Sequence, residues 1–448
     1  MGSRFIVHQK SIILINFKKK YIYLTIILIM DSKTKSTVEE LLVNEGLTYN
    51  LPSSATVVVE KNQKVYFPHK SEYKDTENRI IVTLNSGSDF IDGKNSYLAL
   101  NLSVQGTHAT PGSDFVTFGD GSAVNLFDEI VIRSRDGAEV ERIRKLNSLV
   151  ATRDRWSKSQ DWMKCSGSQM GYQPQTYDSD TYTKEEFTDS LFVGRTFVIP
   201  LAHISGLFNS EALIASHLAS GLRVELVLSD KATVFKTEGN ATVTGYTISA
   251  PEFRLETSRL SDSVMNQITQ NSANGGLVIT INTWDLTESP TTDSANIEVR
   301  RNVSQTLGVF VKSRITTDIT APGSDSMASE QEHKVSSYRL RLGSTFIPNS
   351  KVIKQVEHYA LAQMAFNKFK MTSSENSVSV KSYLKQGRSI IASDLERSSL
   401  DLSGVSISNS KILAVEMTFS DSVPRTTDVY IEFTRVLTVF LSNTLVED

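Results

Sequence analysis

The chain has 448 residues, 39% of them hydrophobic and 22% charged, which excludes wholesale disorder and leaves room for two or three domains. Lys and Arg total 47 against 50 Asp and Glu, a formal net charge of −3, so no basic surplus marks a phosphate-neutralising nucleic-acid binder. A single cysteine, Cys165, excludes an intrachain disulfide framework and any multi-cysteine zinc site, and fits a reducing compartment.

Residues 1–29 differ in composition from everything after them. Lys18, Lys19 and Lys20 interrupt the apolar run. The uninterrupted piece from Tyr21 to Met30 is about half the roughly 20 residues a spanning helix needs. No small-residue cleavage site follows, as a signal peptide would require. The expectation is a non-coding or non-structural extension, with translation starting at Met30. Without its five cations, Arg4, Lys10 and Lys18 to Lys20, the net charge falls from −3 to −8. Residues 30–50 are expected to form an acidic N-terminal arm.

From about residue 50 the pattern is β. Leu98, Leu100, Leu102 and Val104 alternate with Tyr97, Ala99, Asn101 and Ser103, which puts one face of a strand on a core. Leu222–Leu228, Leu413–Phe419 and Val429–Leu441 repeat the alternation. Shorter candidates are Ile80–Leu84, Ile130–Arg133, Phe197–Ile199, Phe253–Leu255, Val278–Trp284, Leu307–Val311 and Tyr338–Leu342. Turn clusters such as Asn85-Ser-Gly87 and Thr110-Pro-Gly112 separate them, which points to an all-β sandwich or barrel. Helices are expected only at Val140–Trp156, Ile204–His217 and Lys354–Phe366. Lys164–Lys184 and Thr316–Val335 are expected to be long loops.

Two segments recur in order. LRVELVLSD (222–230) and LAVEMTFSD (413–421) share five of nine positions, and Gly194-Arg195 with its following strand is echoed by Gly387-Arg388. Repetition in fixed order suggests one architectural unit used twice. The expected division is a first domain at 51–260, a flexible linker at 261–276 ending in QNSANGG, and a second domain at 277–448.

Chemistry is sparse. The histidines (8, 69, 108, 203, 217, 333 and 358) form no close metal pair of the HExxH kind. Gly119-Asp-Gly121-Ser lacks the Gly-Lys-Ser/Thr of a phosphate loop and reads as a turn. There is no nucleophile elbow. Asp178, Asp180, Glu185 and Glu186 miss calcium-loop spacing. The sequons at Asn101, Asn240 and Asn302 are expected to be unmodified. The cations between Arg133 and Arg155 are interleaved with acids and read as a salt-linked helix face. No catalytic, cofactor-binding or metal residue is assigned. A glycosidase would need two acids facing one cleft, which strands can supply without a linear motif.

The stretch DFIDGKNSYLALNLSV (89–104), with FGDGSAVNLFDEIVIRSRDGAEVERIRKLNSL (118–149), resembles the first jelly roll of double jelly-roll major capsid proteins of small eukaryotic double-stranded DNA viruses. These are the polinton-like viruses, adintoviruses and virophages. YRLRLGSTFIPNSKVIKQVEHYALAQMAF (338–366) resembles the matching part of the second jelly roll. The resemblance implies two tandem jelly-roll β-sandwiches with a few short helices in loops, and pseudo-hexagonal homotrimers tiling an icosahedral shell. It implies a virion location with assembly inside the host cell, and no enzymatic activity. The implied partners are further copies of the chain and penton and minor capsid proteins, with no sequence-specific nucleic acid. An internal membrane is left open, the two long loops are candidate outward towers, and the arm is a candidate for reaching a neighbour. The alternative is a tandem β-sandwich binding module of lectin or adhesin type.

Overall fold

Sixteen principal strands carry the architecture. The computed structural model describes residues 57–107, 115–172, 194–321, 324–367, 378–396 and 404–448. The first eight strands are β1 (Val58–Tyr66), β2 (Arg79–Thr83), β3 (Phe90–Thr107), β4 (Phe127–Arg133), β5 (Glu139–Arg144), β6 (Arg195–Pro200), β7 (Arg223–Leu228) and β8 (Thr242–Leu260). They form two antiparallel sheets, ordered β1-β8-β3-β6 and β2-β7-β4-β5. The next eight are β9 (Leu277–Thr291), β10 (Ser294–Val299), β11 (Val303–Ile315), β12 (Val335–Leu342), β13 (Thr345–Val352), β14 (Ile391–Asp394), β15 (Leu413–Phe419) and β16 (Arg425–Val439). Their sheets run β9-β16-β11-β14 and β10-β15-β12-β13. Adding eight to each label of the first pair gives the second pair. Each half is therefore the same two-sheet, eight-strand jelly roll.

The alternating residues explain the packing. Leu98, Leu100 and Leu102 of β3 share one apolar core with Ile80 and Val82 of β2 and Val224 and Leu226 of β7, on the other sheet, and all seven are at most 1% exposed. In the second sandwich Val309 and Val311 of β11 meet Leu413, Val415 and Met417 of β15 in a separate cluster. β9 and β16 pair without a break from Leu277↔Val439 to Thr291↔Arg425.

The tandem match of the sequence divides here. LRVELVLSD and LAVEMTFSD fall on β7 and β15, the seventh strand of each sandwich, and Leu222, Val224 and Leu226 in the first and Leu413, Val415 and Met417 in the second face the core. Gly194 and Gly387 precede the sixth strands, and both have positive φ, 69° at most. There the faces are inverted. Phe197 and Ile199 point into the first core, whereas Ile390 and Ala392 join the cluster shared with the first sandwich, and Ile391 points into the second core. That match is one of strand position and not of residue equivalence.

Four helices matter: α1 (Leu146–Ser157), α2 (Asp262–Asn274), α3 (Gln355–Asn367) and α4 (Val380–Lys385). The helix expected from Val140 starts only at Leu146, because Glu139–Arg144 is a strand paired with β4. Ile204–His217 is not one helix. Single turns at Leu201–Ile204 and Ser216–Ala219 flank irregular chain. The expected flexible linker holds the 13-residue α2, with Val264, Ile268 and Ser272 buried. Its polar sequence hides an apolar stripe at four-residue spacing.

Candidate functional site: the seam between the two sandwiches

α1 follows the fifth strand of the first sandwich and lies against the outward face of the β9-β16-β11-β14 sheet. Nine of its twelve residues are buried. Register explains what it meets. Leu286, Tyr430, Phe310 and Ala392 form one row across that sheet, and Glu288, Asp428 and Lys312 form the next. The first row joins an apolar cluster that includes core residues of the first sandwich. Trp156, 1% exposed, stacks on Phe366 of α3 at 5.6 Å and lies edge-on to Tyr383 of α4 at 5.8 Å.

The second row is ionic. Lys145, just before α1, adopts φ of 46°, a left-handed conformation that costs a non-glycine residue about 1 kcal/mol or more. Its ammonium donates to Asp428 Oδ1 at 2.8 Å and pairs with Glu288, which ties that turn to the second sandwich. Arg314 Nη2 donates to Asp428 Oδ2 at 2.6 Å. Lys312 Nζ donates to Ser148 Oγ (3.0 Å) and Thr152 Oγ1 (3.1 Å) of α1 and to the Met327 carbonyl (2.6 Å). Burial, with the Arg314 guanidinium beside it, pushes the Lys312 ammonium down to about 7, and Asp428, Asp120 and Asp325 pull the other way.

Asp120 lies in Gly119-Asp-Gly121-Ser, which reads in sequence only as a turn. Its carboxylate pairs with Arg388 of the second sandwich and stands 3.9 Å from Arg155 Nη2. Burial raises its pKa, but Arg388, Arg155 and Lys312 outweigh burial and hold the carboxyl below the usual range. The turn is therefore a seam anchor. Its partner is 268 residues away in sequence, beyond the reach of any local motif.

Glu141 of β5 completes the contact. It accepts from the Gly206 amide at 2.8 Å, from Ser205, and from Thr283 Oγ1 of β9 at 2.8 Å. A Cβ on Gly206 would lie 1.9 Å from the Asn282 carbonyl oxygen of β9, so only glycine lets the two sandwiches approach this closely.

The other residues singled out in sequence take structural places. Cys165 is exposed at the end of a one-turn helix. His203 is largely covered and lies against Asp154 (2.5 Å), and desolvation depresses its pKa despite that carboxylate. His333 and His358 face each other at 2.8 Å. His69 borders an open depression with Lys70, Tyr73 and Arg79. Asn101 accepts from Thr196 on the outward face of β3. Arg133, Arg142, Arg144, Lys145, Arg153 and Arg155 are salt-linked, but Arg133, Arg142 and Arg144 sit on strands, paired with Glu225, Glu129 and Asp285. Among the described residues no group of three His, Cys, Asp or Glu side chains could hold a metal. Of the expected loop Thr316–Val335, Thr316–Asp318 and Thr320 are exposed, whereas Ser326, Met327, Glu330 and His333 are buried, Ser326 donating to the Thr233 carbonyl of the first sandwich and Glu330 pairing with Arg425 of the second. Residues 173–184 of the other expected loop, Asp178, Asp180, Glu185, Glu186, His8, His108 and the arm at 30–50 lie outside the described residues. No helix among the described residues is long and apolar enough to cross a membrane.

No protein family model matches the sequence, and no curated protein matches it. Solved structures do. The Faustovirus major capsid protein is similar over 88% of this chain and 92% of its own, with TM-score 0.61 and 8% identity. A chain of the PBCV-1 virus capsid covers 88% and 99%, with TM-score 0.53 and 9% identity. A chain of the Sputnik virophage covers 89% and 90%, with TM-score 0.53 and 11% identity. With identities this low the likeness is one of fold, and the fold is the double jelly roll of these capsid chains.

Proposed function

We propose that this chain is a major capsid protein whose homotrimers, pseudo-hexagonal in outline, tile an icosahedral shell around a double-stranded DNA genome. The observation that carries the reading is the fusion of two topologically identical jelly rolls across a buried seam. A single subunit thus offers two like sandwiches as neighbouring positions of a six-fold tile. The likeness to capsid chains over nearly the whole length supports it. The work of such a protein is adhesion and geometry, without turnover. Its partners are further copies of itself, neighbouring trimers, and penton and minor capsid proteins. Its place is the virion, after assembly in the host cell, and its relatives are the polinton-like viruses, adintoviruses and virophages. We assign 51–260 and 277–448 as its two structural domains joined through 261–276, with 30–50 as an arm and 1–29 as a non-structural extension.

The test is the native mass of the full chain by light scattering, with negative-stain images of the same fraction. The expected result is a particle of about three times the 49.7 kDa chain mass with a hexagonal outline. A monomer at every salt and protein concentration contradicts the reading and directs attention to glycan-binding screens.

A further inference from the structure

The seam inside the chain is a head-to-tail contact. The helix after the fifth strand of the first sandwich, α1, covers the outward sheet face of the second. The same two parts exist once more: a helix whose inner face packs on β14 and α1 but whose outer face is open, and the outward sheet face of the first sandwich. α3 follows β13, the fifth strand of the second sandwich, as α1 follows β5. Nine residues of α1 are buried, but α3 shows solvent a stripe at helical spacing, Val356, Ala360 and Met364, continued by Ile353. Ile353, Val356 and Met364 are 66%, 57% and 42% exposed, an apolar surface that monomers seldom leave open in one line.

The complementary face is the outward side of the β1-β8-β3-β6 sheet. Phe253 and Leu255 point inward, so Glu252, Arg254 and Glu256 point outward, beside Tyr97 and Ala99 of β3 and Val65 of β1. These outward residues are all partly or fully exposed, and Phe67 just past β1 is 67% exposed. The charges correspond as well. Lys354 immediately precedes α3 as Lys145 precedes α1. Lys145 finds Asp428 on the eighth strand of the second sandwich, and Glu252 and Glu256 stand on the eighth strand of the first.

We infer that the Ile353–Met364 stripe of one chain docks on the outward β1-β8-β3-β6 face of a second copy, repeating between chains the contact that α1 makes within one. The inference rests on the shell-subunit reading and names its surface. A contact between unlike patches closes into a ring when its rotation divides a full turn, and three chains then present six sandwiches around one axis.

Two full-chain variants test it, V356E/M364E on the helix and V65E/F67E on the sheet. All four positions are exposed, and unchanged melting curves confirm folding. Sedimentation velocity should show a wild-type trimer and about 100-fold weaker association in either variant, since each places two charges in a desolvated contact. Mixed together, the two variants retain one intact helix and one intact face. They should form a two-chain complex but no closed trimer. A wild-type trimer alongside variants that also remain trimers overturns this surface and leaves the shell reading standing. A monomeric wild type overturns the shell reading, and this inference with it.

Discussion

Acid should weaken the second sandwich through His333 and His358. His358 Nε2 is 3.1 Å from the Val352 carbonyl, which only accepts, so the proton sits on Nε2 and Nδ1 is bare. His333 Nε2–H then donates to that Nδ1 at 2.8 Å. Tyr338 of β12 and Tyr383 of α4 pack against the rings, and Glu357, on α3 itself, is the carboxylate that acts on His358. Burial, and then the neighbouring His358, push the pKa of His333 down to about 3. The unfolded chain titrates near 6.5 and so binds the proton first as pH falls. The stability this histidine permits is complete above about pH 6.5 and is lost progressively toward pH 3, by about 2 kcal/mol at pH 5 and about 3 kcal/mol at pH 4. His333→Gln keeps an N–H donor for His358 and removes the titration. Urea unfolding of the full chain at pH 7.5 and pH 5 measures the effect. The wild type should lose about 2 kcal/mol more than the variant over that interval. His203, His217 and His358, whose pKa values burial also lowers, are present in both proteins, so the difference between them reports His333. Equal acid losses in the two proteins would refute the reasoning.

Trp156→Ala removes the ring that meets α3 and α4 at the seam, and should cost about 3–5 kcal/mol in denaturant unfolding. Gly206→Ala forces a methyl group onto the Asn282 carbonyl and should cost about 3 kcal/mol, read as a lowered melting temperature. Lys312→Met should flatten an alkaline rise in stability. With its folded-state pKa near 7, the wild type gains about 2 kcal/mol between pH 7 and pH 9 as the unfolded chain holds the proton longer, and a variant without the ammonium lacks that gain.

The parts of the fold legible in the sequence are those with one dry face. β3, β7 and β15 alternate because one side meets the core, and the alternation names the correct face in each, whereas β16 alternates although its other face, with Asp428 and Tyr430, is buried at the seam. β1, reading VVEKNQKVY, and β13 are edge strands with exposed residues, so no alternation marks them, and β10 carries only the short alternation of Ala295, Ile297 and Val299. β5 reads as helix because its charges, spaced as in ERIR, suit either period, and only pairing with β4 decides. The seam escapes for a different reason. Asp120, Lys312, Asp428 and Arg388 look like ordinary surface charges in sequence, and their burial follows from one sandwich closing on the other. The double jelly roll itself is legible because LRVELVLSD and LAVEMTFSD stand on equivalent strands of the two halves.

A cryo-electron microscopy reconstruction of the particle formed by the full chain would decide whether it is a shell tile. Three chains should stand about one axis, with six sandwiches in a ring and alternate seams of two kinds, one within chains and one between them. A two-fold dimer, or a ring in which the β1-β8-β3-β6 face stays open to solvent, would contradict it.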